Sequence, residues 1–408
     1  MPGLVEITIV DQREALVLEL LRGEAMARVC RRFGVSRPTG YKWLQRYRQL
    51  GRLGLDDWPH NAQEHPNQVA QELEEIIVNL RRKHTHWGPK KLRRRLQLRL
   101  KAIVWPACST IGGILHRHGL TVPGKRRRRT PPYTQPLSHC TGANEVWCTD
   151  FKGWFRTQDG DRCDPLTITD AFSRYLLRVQ ALERTDGESV WSVFEALFRD
   201  QGLPVAIRSD NGSPFASHGI AGLSYLSVRW VRLGIRVERI EPGKPQQNGR
   251  HERMHLTLQQ ETAQPPQKTV RRQQERFLQF QKEFNDERPH EALGQRCPGE
   301  LYTPSPRQYG DGLPEVEYPA TMEVRSVKGN GVFNWQGQVV FLGEALSRQR
   351  VGLTELAEGC WGVYFCQQPL GIVDVRHRKV IGVEEAVRKG TVTDELLRSP
   401  FRCAPGAP

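Results

Sequence analysis

The chain has 408 residues, 38% of them apolar and 26% charged, with a formal net charge of +15. That length predicts two to four domains, and the composition excludes a disordered chain. No apolar run is long enough to cross a bilayer and no signal-peptide pattern opens the sequence, so a cytoplasmic protein with no membrane partner is expected.

The charge is unevenly spread. Residues 1–139 carry 26 Lys or Arg against 11 Asp or Glu, while the remainder has 34 of each sign. This division predicts a basic arm that grips a polyanion, with other work done downstream. The nine cysteines include no C-x-x-C pair. That predicts reduced thiols and speaks against a zinc site or a disulfide framework.

Residues 12–21 read as an amphipathic helix, and 23–49 as two more with a turn at Gly34. Ser36 can cap the second of these, and Pro38 falls in its first turn, where a missing N–H costs little. Arg37, Lys42, Arg46 and Arg48 interleave there with Tyr41, Trp43, Leu44 and Tyr47. The pattern predicts a helix-turn-helix domain over residues 1–58, or else an ordinary helical hairpin with a solvated basic face. In the first reading Arg37, Thr39 and Lys42 are the candidates for base contacts.

A polar linker over Asp56–Asn67 leads to helices predicted at Glu72–Lys83, Pro89–Leu100 and Ser109–His118. Together they read as a second helix-turn-helix-like domain over residues 66–122, with Lys90, Lys91 and Arg94 on its basic middle helix as DNA-binding candidates. His84 and His86 lack neighbouring cysteines and are expected to pack or face solvent. Residues 123–140 form a basic linker. Its run Lys125 to Arg129 is either a solvated charge block or a strand laid along phosphates, with Arg126 and Arg127 as contacts.

From residue 141 the rhythm changes to strands, predicted at Glu145–Phe155, Pro165–Ala171 and Tyr175–Leu182. A helix (Thr185–Gln201), a strand (Val205–Ser209), a helix (Gly222–Leu233), a strand (Ile235–Ile240) and a helix (Gln246–Thr262) follow, then a charged helix at Thr269–Glu287. This order describes a mixed sheet covered by helices, over residues 141–300. Beyond Pro298, six short strands between Met322 and Val375 predict a small closed or nearly closed barrel over 301–400.

Three acids stand out in the central domain. Asp150 lies inside an apolar strand, where a charge is costly unless paired or bound to metal. Asp210 ends a strand, and Glu252 lies near the start of a helix. Singly, each has an ordinary explanation as a salt-bridge partner, a turn residue or a solvated helix residue. Together, oxygen-only ligands suit two Mg²⁺ or Mn²⁺ ions, which would offset the mutual repulsion of the carboxylates.

Five stretches carry a resemblance: Trp147 to Lys152, Thr169 to Arg174, Ser209 to Phe215, Pro245 to Arg253 and Asn285 to Leu293. In this order they resemble the catalytic core of DDE-type insertion-sequence transposases, whose core is like that of retroviral integrases. The resemblance implies a multidomain fold: N-terminal all-α helix-turn-helix modules, a central α/β RNase H-like core with a mixed sheet, and a C-terminal small β-barrel. It implies the catalytic and metal-binding triad Asp150, Asp210 and Glu252, and a bacterial, nucleoid-associated location. The implied activity cleaves double-stranded DNA at element ends and joins the 3′ ends to target DNA, through a homo-oligomer and without a nucleotide cofactor. Lys244, Asn248 and Arg250 beside the glutamate are candidates to contact the DNA end, or simply form a polar helix cap. Asp170 is assigned to the fold rather than to the triad, and Arg288 and His290 to pinning a loop.

The chain departs from the family in one respect. Forty-one residues separate Asp210 from Glu252, more than is common in the family, and the surplus is assigned to Ala216–Ser227. Two rival functions share the same domains: an RNase H-like nuclease that does not join strands, and a DNA-binding regulator derived from a transposase.

Overall fold

The computed structural model describes residues 8–57, 68–121, 140–241 and 249–398. The chain divides into two compact units, Met1–Gln71 and Glu72–Pro408. Among the described residues no helix is long and apolar enough to cross a membrane.

The first unit holds α1 (Ile9–Leu21), α2 (Met26–Arg32) and α3 (Arg37–Leu50). Ser36 caps α3 by accepting the Thr39 N–H, and Pro38 sits in the first turn as predicted. Leu16, Val17, Val29, Trp43 and Leu55 form the buried core. The Arg13 guanidinium lies 4.1 Å from the centre of the Trp43 ring and donates to the Leu55 carbonyl, closing one side of this small core. Arg37 and Lys42 remain exposed on α3, and Thr39 is half-buried against Ser36.

The second unit opens on α4 (Gln71–Lys83), α5 (Pro89–Arg99) and α6 (Cys108–Arg117), which bury Ile77, Leu92, Leu96, Ile111 and Ile114. His84 stacks on Trp87 at 3.9 Å, and burial pushes its imidazole down to about 4, so it is a packing residue. The basic linker at 123–140, with Arg126 and Arg127, lies almost wholly outside the described residues.

The mixed sheet follows: β1 (Val146–Phe151), β2 (Phe155–Arg156), β3 (Arg162–Asp170), β4 (Leu176–Leu182), β5 (Ala206–Ser209) and β6 (Arg236–Arg239). Its order is β4-β3-β1-β5-β6, with β2 also on β3. β3 pairs antiparallel with β1 and β4, whereas β1, β5 and β6 run parallel. The single strand predicted over Glu145–Phe155 is two, because Gly153 turns the chain at φ +89 between them. Helices α7 (Gly187–Gln201) and α8 (Tyr225–Arg232) cover one face, burying Phe194, Phe198 and Trp230 against Trp147, Leu166, Ile168 and Ile207. Helices α9 (Gly249–Thr262) and α10 (Val270–Lys282) cover the other, where Met254, Leu258, Phe277 and Phe280 meet Cys163, Leu176 and Val179.

Seven strands close the domain at the C-terminal end: β7 (Glu323–Ser326), β8 (Val332–Trp335), β9 (Gln338–Phe341), β10 (Arg350–Ala357), β11 (Cys360–Phe365), β12 (Gln368–Asp374) and β13 (Lys379–Gly382). Their order, β7-β10-β11-β12-β13-β9-β8, makes a nearly closed barrel. The sequence pattern missed β13, whose four residues carry no alternation. Short helices α11 (Val383–Arg388) and α12 (Asp394–Arg398) follow. At the seam Gly371 has φ +149, and a Cβ there would lie 1.9 Å from the Ile381 carbonyl oxygen on β13. Gly371→Ala is therefore expected to destabilise the barrel by at least about 2 kcal/mol, checked by thermal and urea unfolding of the full chain.

Candidate active site

The parallel register fixes the first two acids. Cys148 on β1 pairs with Arg208 on β5, so continuing both strands by two residues brings Asp150 level with Asp210. Adjacent strands lie about 4.8 Å apart, and residues two apart share a face. Asp210 follows the last residue of β5, and one of its carboxylate oxygens accepts the Gly212 N–H at 3.1 Å. The carboxylate folds back over its own loop, leaving only 3.0 Å for a Cβ at Gly212. Asn211 ties that loop to the end of β6 by donating to the Ile240 carbonyl.

The third acid arrives on α9, and one hydroxyl seats that helix. Thr167 on β3 stands directly opposite Asp150 in the antiparallel pairing, so their side chains share the face that α9 covers. Its Oγ1 donates to the Asp150 carbonyl at 3.0 Å. It also meets His251 Nε2 at 2.6 Å and His255 Nε2 at 2.7 Å. A hydroxyl has one proton and two lone pairs, so with its proton given to Asp150 both imidazoles donate to it. His251 Nδ1 then accepts from the Thr169 hydroxyl at 3.2 Å. Burial holds both rings neutral: it pushes His255 down to about 3 and His251 well below its ordinary value.

Between these two histidines in sequence, Glu252 lies exposed in the first turn of α9. The Asp150 carboxyl is pushed up to about 7, chiefly by burial, then by the negative charge of Asp210, and to a smaller extent by Glu252. The three acids therefore share one electrostatic neighbourhood. Among the described residues they do not form a group drawn up to chelating distance. The character of the donor set still fits a hard divalent cation, since all three are carboxylates and Asp150 is penalised by burial and then by its acidic neighbours.

The remaining candidates divide. Lys244 and Asn248 lie outside the described residues, as does the side chain of Arg250. Lys90 is engaged by Glu291 at 2.6 Å and Lys91 lines a cavity against the core. Arg94 is half-buried. Asp170 is buried, accepting from the Asn144 N–H and from the Ser173 N–H and hydroxyl. Arg288 pairs with Glu261 at 2.5 Å, and the His290 N–H donates to the Arg296 carbonyl. Sequence reasoning missed Thr167 and His255, although the i, i+4 pair of histidines on one helix was a visible signal.

Family comparisons agree with this layout. Residues 141–245 and 233–298 each match a model described as an integrase core domain. Residues 12–61 match a helix-turn-helix domain and 39–115 a homeodomain-like domain. Residues 322–381 match the C-terminal domain of the IS481 family transposases. A curated relative, the insertion element IS407 uncharacterized 31.7 kDa protein of Burkholderia multivorans, is 27% identical over 45% of this chain. The match spans 64% of that relative, just under two thirds of its length. The insertion element IS476 uncharacterized 39.2 kDa protein of Xanthomonas euvesicatoria is 24% identical over 69% of this chain and 79% of its own. Among solved structures, the HTLV-2 integrase catalytic core domain in complex with magnesium (trimeric form) is 14% identical, covering 40% of this chain and 99% of that one at a TM-score of 0.32. A simian T-cell lymphotropic virus intasome in complex with PP2A regulatory subunit B56 gamma is 16% identical, covering 74% and 96% at a TM-score of 0.36.

Two outcomes follow from this geometry. Thr167→Val leaves two buried imidazole N–H groups without an acceptor and is expected to cost about 2–4 kcal/mol in urea unfolding, whereas Thr167→Ser costs under about 1. Asp150 binds its proton more tightly in the folded chain, where it is pushed up to about 7, well above the ordinary carboxylate range near 4. Its contribution to stability is therefore full below pH 4 and lost as pH rises through 7. Without divalent metal, Asp150→Asn should melt about 2–5 °C above the parent at pH 8 and level with it at pH 4.

Proposed function

We propose that this chain, whose residues 141–245 and 233–298 match integrase core domains, is a DDE-type insertion-sequence transposase that cuts DNA at the ends of its mobile element and joins the 3′ ends to target DNA. The observation that carries this reading is the parallel register that sets Asp150 level with Asp210 on the face covered by α9.

In this reading Asp150, Asp210 and Glu252 would hold two Mg²⁺ or Mn²⁺ ions. When bound, the ions supply charge neutralisation for the attacking and leaving oxygens of an in-line displacement at phosphorus. The chain's own work is positioning. The β1–β5 pairing, which runs as far as Cys148 and Arg208, would set the two aspartates side by side, and the Gly212 N–H would orient the Asp210 carboxylate. His251 and His255 keep the start of α9 over Thr167 on β3, directly opposite Asp150. No side chain needs to become covalently attached to DNA, because water and then a 3′-hydroxyl serve as nucleophiles. Arg37, Thr39 and Lys42 on α3 would read the element end, with Lys244, Asn248 and Arg250 at the DNA terminus and Arg126 and Arg127 along the backbone. Strand joining requires two ends at once, which a homo-oligomer would provide.

The test incubates purified protein with labelled duplex DNA carrying the repeats that flank its gene, with Mg²⁺ or Mn²⁺, beside Asp210→Asn and Glu252→Gln. Metal-dependent nicking and joined products are expected. Both should fall in each variant by more than the roughly 10–100-fold that loss of a supporting partner brings. Nicking without joining would make the protein a nuclease, and end-specific binding without cleavage would make it a regulator.

A further inference from the structure

The face of the sheet that carries Asp150 holds a second feature, a cavity of about 90 Å³ closed by α5 of the second helix-turn-helix-like module. Its walls bring together Lys91 from α5, Arg174 from the turn before β4, Arg253 from α9, and Arg288 and His290 from the segment after α10. His290 is neutral, and the four cationic groups beside it come from four separate parts of the chain. The acids nearby are engaged elsewhere. Glu261 holds Arg288, Glu291 holds Lys90 and Glu287 holds Arg95. Asp170 also lines the cavity, and its oxygens accept from Asn144 and Ser173. Among the described residues, no carboxylate stands within ion-pair distance of Lys91 or Arg253.

We propose that this cavity seats a single phosphate group, and that the phosphate belongs to the backbone of bound DNA. The size fits. A space of about 90 Å³ is enough for one tetrahedral oxyanion. The chemistry fits as well, since guanidinium forks and an ammonium arranged around one point match the several oxygens of a phosphate. Electrostatic strain in the cavity has the matching sign. Lys91 is pushed down to about 8, chiefly by burial and then by Arg288 and Arg253. His290 is pushed down to about 3 by burial, then by Lys91, Arg288 and Arg174. An anion would relieve all of these at once. Arg253 is exposed, so the cavity reaches the surface one residue from Glu252 on α9, within reach of a DNA strand laid along that helix.

The DNA assignment rests on the transposase reading, whereas binding of a phosphate does not. The experiment uses the full chain, Lys91→Gln and the double variant Lys91→Gln/Arg253→Gln, leaving Arg288 in its pair. Melting is followed in 50 mM sodium phosphate and in sodium chloride of equal ionic strength, and duplex DNA binding is titrated against salt. Phosphate is expected to raise the parent's melting temperature by about 1–3 °C, with the shift lost in the double variant. The slope of log affinity against log salt should fall by about 1 in that variant, the loss of one phosphate contact. No shift in the parent, or a shift that survives in the double variant, would overturn the site. A shift lost without any change in the slope would mean that the site takes free phosphate, and the DNA assignment would fall. Failure of the cleavage assay would leave the phosphate shift untouched, so the two readings fail separately.

Discussion

The Asp150 carboxyl is raised chiefly by burial, and then by the charges of Asp210 and Glu252, so the carboxylates that share this neighbourhood repel one another. The scaffold must therefore hold them by contacts that do not depend on their own charge. Apolar packing of Met254 and Leu258 fixes how close α9 comes to the sheet, but it leaves the helix free to rotate or slide. Two imidazoles four residues apart, both donating to one hydroxyl, remove that freedom. A slip of a single residue would turn each side chain about 100° around the helix axis and carry Glu252 away from the strands. Because the same threonine also donates to the carbonyl of Asp150, one residue ties the acid on β1 to the helix that bears the third acid.

The long interval between Asp210 and Glu252 has a physical explanation in the loop before α8. Ser224 caps α8 and also donates to the Phe215 carbonyl, so the loop closes on itself before the helix begins. Leu223, Val228 and Val231 then face the barrel core, beside Phe333, Val340 and Val363, with Ile220 packed against it. Leu226 and Trp230 face the core under the sheet. Leu223, Val228 and Val231 thus give this loop and α8 a second packing face that joins the barrel to the mixed-sheet domain.

Much of this was legible from the sequence because its signals are local. Ser36 with Pro38 marked the start of α3, and Gly34 the turn before it. Strand and helix order in the core followed from periodicity, and Asp150 and Asp210 stood out as acids at a strand interior and a strand end. The helix predicted from Gly222 begins only at Tyr225, because Ser224 and Ser227 form a capping box that periodicity does not reveal. Thr167 was invisible for a different reason. Its importance comes from standing opposite Asp150 across a strand pairing and beneath two histidines more than eighty residues away, and no local pattern encodes such a meeting. The inward turn of α5 was hidden for the same reason, since its partners Glu287 and Glu291 lie nearly two hundred residues downstream.

That turn changes what the basic N-terminal third signifies. Counted along the sequence, all of its excess charge looks available to DNA. In the fold, Lys90 and Arg95 are taken by Glu291 and Glu287, Arg94 is half-buried, and Lys91 lines a cavity. The Lys90 pair is exposed on both sides and contributes little. The Arg95 pair is less exposed, and it lies in the segment whose Arg288 is buried against Glu261. Orientation of α5 on the core therefore depends more on Arg95 than on the nominally stronger-looking short contact of Lys90. On α3 the situation is reversed, since Arg37 and Lys42 have no such acidic partners among the described residues and stay exposed. The two modules that look alike in sequence thus present their basic residues differently. One keeps them exposed, and the other commits a large share of them to the mixed-sheet domain.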